Sequence, residues 1–179
     1  MKPAILLCFI SACSWAGRTG YGIPWTTPKG QCGKAQDPLQ CAEDITQAVD
    51  RVAIVFQQVT GRHVPPDIYQ KIVRITLESE RPDCSDEDGP RRDCHGVAFH
   101  EGGKWDIHLK AEECLVLTSL AHELIHVFGY ETGMGPDSEH KIYDMFLWRG
   151  NKSVEYLSFK ALIESGLCNQ NGEIWMVGE

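Results

Sequence analysis

His122-Glu123-Leu124-Ile125-His126 is an H-E-x-x-H pattern. On an α-helix four residues make just over one turn, so both imidazoles project from one face and can meet a single ion, with Glu123 leaning toward the same place. Zinc suits such a pair, because it accepts imidazole nitrogen and, with three protein ligands, keeps a fourth position for water. The ion lowers that water's pKa toward neutrality, and an adjacent carboxylate can take the proton during attack on a carbonyl and return it to the leaving amine. The pattern arises by chance in roughly one chain in fifty of this composition. Leu120-Ala121 and Leu124-Ile125 surround the ligands with apolar side chains, as a buried metal helix requires.

The elements that must position this pattern are readable along the chain. Ile45, Val49, Val52, Phe56 and Val59 recur at three- and four-residue steps between Cys41 and Thr60, and Gly61 follows as a helix stop. Val73, Ile75 and Leu77 alternate with Arg74 and Thr76 as in a strand. His95 to His100 and Trp105 to Leu109 flank Glu101-Gly102-Gly103-Lys104, which predicts a hairpin with Glu101 opposite Lys104. Ala98, Trp105, Ile107 and Leu109 then share the core face, and Val97, Phe99, Asp106 and His108 the other. Further helices are expected over 112–129, from Asp137 or Ser138 to Gly150, and over 151–166. The class is α+β, strands early and helices late. The interleaved His95, His100 and His108 are assigned no site, and the apolar positions from Trp148 to Leu167 read as core.

The chain has 179 residues, 42% hydrophobic and 23% charged, which suits one ordinary globular domain. Its 25 acidic against 17 basic residues, a net charge of −8, exclude a nucleic-acid backbone as partner. Residues 1–16 read as an export signal: Lys2, an apolar run from Ala4 to Ala12, and small residues around Ser14-Trp15-Ala16. Ile10-Ser11-Ala12-Cys13 also resembles a bacterial lipobox, so the only membrane attachment expected is an N-terminal lipid anchor at Cys13, with simple secretion the alternative. Residues 17–31, rich in Gly, Thr and Pro, read as a flexible tether, and the domain as 32–179. Six cysteines remain after processing, and in an oxidising compartment the expected pairs are Cys32/Cys41, Cys84/Cys94 and Cys114/Cys168. Cysteine ligation of zinc is the rival; no Cys-x-x-Cys spacing supports it.

Over about Cys94 to Gly150 the chain resembles the zincin metallopeptidases, in which an antiparallel edge strand, an H-E-x-x-H helix and a later third ligand enclose the cleft. The run from His122 to Gly129 is similar to the start of the metzincin signature, but that family's third histidine falls on Thr132, which cannot serve. The third ligand is therefore expected in Asp137-Ser138-Glu139-His140. His140 is the choice, with thirteen residues between it and His126, a spacing similar to that of SprT-like proteases. Asp144, one turn on, would hold its second ring nitrogen. Glu139 as ligand would make the site gluzincin-like. Tyr130 and Tyr143 are candidates for hydrogen bonding to a developing oxyanion, against the plainer reading that they pack. The resemblance implies an exported zinc peptidase with ligands His122, His126 and His140, Glu123 as general base, and a peptide or protein as substrate. The alternative is a non-catalytic, disulfide-stapled envelope protein or lipoprotein whose metal site is structural or absent.

Overall fold

The computed structural model describes residues 14–28, 31–32, 35–84, 94–111, 115–136, 145–146 and 152–167. In chain order the strands are β1 (Ser14–Arg18), β2 (Pro24–Pro28), β3 (Ile72–Glu78), β4 (Gly96–Glu101) and β5 (Lys104–Lys110). The helices are α1 (Pro38–Thr60), α2 (Asp67–Lys71), α3 (Leu115–Gly129) and α4 (Val154–Glu164). The class is α+β, but the sheet is larger than the small antiparallel hairpin expected. It runs β1-β2-β3-β5-β4, with β2–β3 and β3–β5 parallel and both edge pairs antiparallel. The β2–β3 pair is parallel because α1 and α2 lie between the two strands and return the chain to the same end of the sheet, whereas between β3 and β5 the returning element is β4, antiparallel to β5.

The expected tether over 17–31 is corrected by this topology: β1 and β2 form a hairpin whose Ile23 and Trp25 are fully buried. Gly17 stands opposite Trp25, and any side chain there would press on the indole at about 3.1 Å. The turn at Gly22, with φ 77°, is closed by Gly22 N–H to Thr19 carbonyl, 2.9 Å. Gly20 N–H donates to Thr46 Oγ1 at 2.8 Å, Tyr21 O–H donates to Asp50, and Tyr21 stacks on Tyr69 at 4.2 Å. The folded part thus includes the β1–β2 hairpin, ahead of the start expected near Cys32.

α1 forms where its periodicity predicts. Asp37 caps it, its Oδ1 accepting from Leu39 and Gln40 amides at 2.9 Å; Pro38 opens the first turn; Gly61, φ 70°, ends it. A stripe from Cys41 to Phe56 is buried, and the Cys32–Cys41 disulfide joins this helix to the segment after β2. The β4–β5 hairpin has the predicted register, with Glu101 opposite Lys104 and left-handed Gly102 and Gly103 in the turn. Trp105, Ile107 and Leu109 face the core and Phe99 is 45% exposed, as parity requires.

β3 departs from the expected alternation at one residue. A register shift between Ile72 and Arg74 puts Ile72 inward with Ile75 and Leu77, and leaves Val73 39% exposed. The bulge resets the phase that a strict two-residue period would keep. The core joins the inward sheet face to α1, α3 and α4, with Phe128 of α3 meeting Phe56 and Tyr69 edge-on at 5.8 and 6.2 Å. Two of the three expected disulfides are present, Cys32–Cys41 and Cys84–Cys94, as suits a chain matured in an oxidising compartment. Cys114 and Cys168 lie outside the described residues, as does nearly all of the helix expected from Asp137 to Gly150. The last helix begins at Val154, with Ser153 as its cap, rather than at Asn151. No helix among the described residues is long and apolar enough to cross a membrane.

Candidate metal centre and cleft

α3 is buried on most of its circumference. Leu117, Leu120, Ala121, Leu124, Ile125, Val127 and Phe128 are in the core, and among the described side chains of α3 the face carrying Thr118, Ser119, His122 and His126 opens outward. The two Nε2 atoms lie 3.2 Å apart. Two imidazoles bound tetrahedrally at about 2.0–2.1 Å would stand about 3.3 Å apart, so this pair fits two neighbouring corners of one zinc ion. Phe146 backs both rings, at centroid distances of 5.2 Å from His122 and 4.8 Å from His126. Among the described residues no group of three or more His, Cys, Asp or Glu side chains converges on one point. His140, Glu139, Tyr143 and Asp144 all lie outside the described residues.

The first histidine has a partner that periodicity alone conceals. Glu155, in the opening turn of α4 and 6% exposed, accepts a hydrogen bond from His122 Nδ1 at 2.6 Å. A proton held on Nδ1 leaves Nε2 as the electron-pair donor, the arrangement in which a carboxylate orients a metal-binding imidazole. Burial alone would lower the His122 pKa, but the bond to Glu155 and the charges of Glu123 and Glu155 carry it above the usual imidazole value. The signal in the sequence was an acid on a buried stripe: Glu155, Ser158 and Leu162 lie three and four residues apart on the inward side of α4.

Glu123 is also buried, 5% exposed, and packs against the start of β4 at Gly96. Burial pushes the carboxyl up to about 7, against the opposing pull of the His122 charge and the Ala98 amide, while Glu155 adds to the rise. A carboxyl with that proton affinity can take up and release a proton near neutral pH. β4 is an edge strand of the sheet and packs with β5 on α3. Gly96, at its start, provides room for Glu123: a Cβ there would fall 2.9 Å from Oε1. A glycine inside a strand pattern was the sequence sign of such a close approach.

Over these residues opens a cleft of about 350 Å³. It is lined by His122, Glu123 and Glu155, by Thr118 and Ser119 one turn earlier on α3, by Phe159 of α4, and by Cys94, His95 and Gly96. His95, assigned no site from sequence, therefore lines the cleft. His108 does not: it is bonded to Glu78 and packs edge-on with Phe99, 5.6 Å. Tyr130 packs between His100 and Trp105, at ring distances of 4.6 and 5.5 Å, in keeping with the plainer reading of that residue. Trp105 Nε1 also donates to Glu131 at 2.9 Å, and Lys71 pairs with the same carboxylate, which fixes the wide turn Tyr130–Met134 that follows α3.

Comparison with protein-family models, with curated proteins and with solved structures finds no match for this chain.

Proposed function

We propose that this chain is an exported, zinc-dependent peptidase in which Glu123 is the general base. The observation that carries the reading is the pairing of two convergent Nε2 atoms, 3.2 Å apart, with a buried carboxyl on the next residue of the same helix. The resemblance to zincins supports it, as do the edge strand β4 beside α3 and the cleft above both. Bound zinc would supply a water with a pKa near neutrality and would polarise the scissile carbonyl. His122 and His126 would hold the ion, with His140 as the third ligand and Glu139 the alternative.

The chain's own groups then divide the work. Glu155 keeps the Nδ1 proton of His122 in place and so keeps Nε2 turned toward His126 Nε2, free to donate its electron pair to a bound ion. Glu123 takes the proton of the attacking water as the new C–O bond forms, then delivers it to the amide nitrogen as the C–N bond breaks. The products are a carboxylic acid and an amine, and Glu123 is restored. An extended peptide is the fitting substrate, because β4 is an edge strand of the sheet among the described residues and such an edge can offer amides and carbonyls to a second strand.

The test is zinc analysis of the purified, exported protein with hydrolysis of a labelled unfolded protein, for the wild type and for Glu123→Gln. The proposal expects one zinc per chain in both and hydrolysis in the wild type alone. Zinc without hydrolysis would instead support a structural metal site, and neither would make the pattern accidental.

A further inference from the structure

We infer that the Cys84–Cys94 disulfide and the first residues of β4 form a clamp that positions Glu123, so that Gly96 and both cysteines are positioning residues for the proton transfer. The inference rests on the reading of Glu123 as base.

Three observations build the clamp. The chain is held just before β4, where Cys94 is bonded to Cys84 and its N–H donates to Pro82 carbonyl at 3.1 Å. One residue on, His95 carbonyl accepts Lys110 N–H at 2.8 Å, joining this point to the end of β5. In an antiparallel pair backbone groups alternate sides, so those of His95 and Val97 face β5 while those of Gly96 and Ala98 face the open edge. Glu123 lies against the start of this strand, close enough to the Ala98 amide for that dipole to lower its proton affinity. The third observation is steric: the space a side chain at residue 96 would fill is occupied by Glu123 on one side and Leu109 on the other, each 2.9 Å from the absent Cβ.

Glu123 is thereby held against a backbone wall at Gly96, and the wall is anchored two residues upstream by the disulfide, whose Cys94 lines the cleft. A buried carboxylate with fewer accessible rotamers needs less reorganisation before it can accept a proton, and small displacements of such a group cost rate steeply. If the disulfide served stability alone, opening it would lower the melting temperature and leave turnover untouched.

The experiment compares the full exported chain with Cys84→Ser/Cys94→Ser, Gly96→Ala and, as a control remote from the cleft, Cys32→Ser/Cys41→Ser. Zinc content, kcat and KM on a labelled unfolded protein, and hydrogen exchange at the Ala98 amide are measured for each, below its melting temperature. The clamp predicts full zinc, KM within about threefold, kcat lower by about tenfold or more and Ala98 exchange faster by about tenfold for the first two variants. The control should match the wild type in kcat and in Ala98 exchange. Wild-type kcat and exchange in Gly96→Ala would overturn the inference even if the cysteine variant failed to fold, and so would a control that loses kcat to the same extent. A wild type that hydrolyses nothing would refute the peptidase proposal, and Ala98 exchange would still decide whether the clamp exists.

Discussion

The two disulfides close loops of nearly equal size, with sequence separations of 9 and 10 residues. Chain-entropy arguments therefore give them almost the same stabilising effect, about 2–3 kcal/mol each. Their surroundings differ. Cys32–Cys41 is wholly buried and ties the segment after the β1–β2 hairpin to α1, in a region built from Trp25, Ile23 and the core stripe of the helix. Cys84–Cys94 stands at the wall of the cleft, two residues from Gly96. On the proposed reading, equal cross-links secure a core in one region and the placement of Glu123 in another, and the energy of the bond does not reveal which. Location does.

The largest effects should come from the cleft and should spare the core. Glu123→Gln is expected to lower kcat by about a thousandfold or more with zinc retained, because only the proton acceptor is lost. Its melting temperature should hold or rise, since a buried ionisable group is replaced by a neutral amide. His122→Ala and His126→Ala should lose the metal and all hydrolysis, read by metal analysis. A retained rate in Glu123→Gln would erase the functional half of the comparison.

Next in size, Glu155→Gln should weaken zinc binding by about 10- to 100-fold, because the amide no longer secures the Nδ1 proton of His122. Competition with a chelator of known affinity measures it, and an unchanged affinity would show that Glu155 is only a packing group. In the other region, Cys32→Ser/Cys41→Ser should cost about 2–3 kcal/mol in denaturant unfolding without altering kcat. A change in kcat there would mean that the two regions are not separable.

The smallest effect concerns Glu131, whose carboxyl is held below its usual range: burial would raise it, but the bonds from Lys71 and Trp105 outweigh burial. A lowered folded-state value means that the ionised group contributes stability above the unfolded pKa, about 4.3, and loses it as pH falls through the folded value. Glu131→Gln should therefore reduce the melting temperature by a few degrees at pH 7, and the difference should vanish in strong acid. A difference that persists in acid would assign the loss to packing instead.

Much of this was legible in the residues. The stripe from Ile45 to Phe56 and the stop at Gly61 are local facts of a helix, and a Gly-Gly turn sets hairpin register by its own geometry. β1 and β2 were not legible, because Gly, Thr and Pro dilute any period and β2 pairs with β3 nearly fifty residues away. Val73 was misplaced by a bulge, which period-two reasoning cannot foresee. In the site, the pentapeptide announced its own two histidines and acid, whereas Glu155 and Gly96 matter only through the packing of α4 and β4 on α3. His140, proposed as third ligand to a zinc ion, lies outside the described residues.

Where β1 begins has a consequence for maturation. The strand spans Ser14 to Arg18, five residues, and Trp15 packs on the core. Signal cleavage after Ala16 would strip the first three of those five, Trp15 among them, and leave β2 as the frayed margin of the sheet. Cleavage ahead of Cys13 would leave the strand whole, with an acyl chain attached at the residue before it. In that case the bilayer would hold one margin of the sheet and β4 would form the other, about 19 Å across at about 4.8 Å per strand step. A chain moored in this way would carry its cleft on the margin opposite its anchorage.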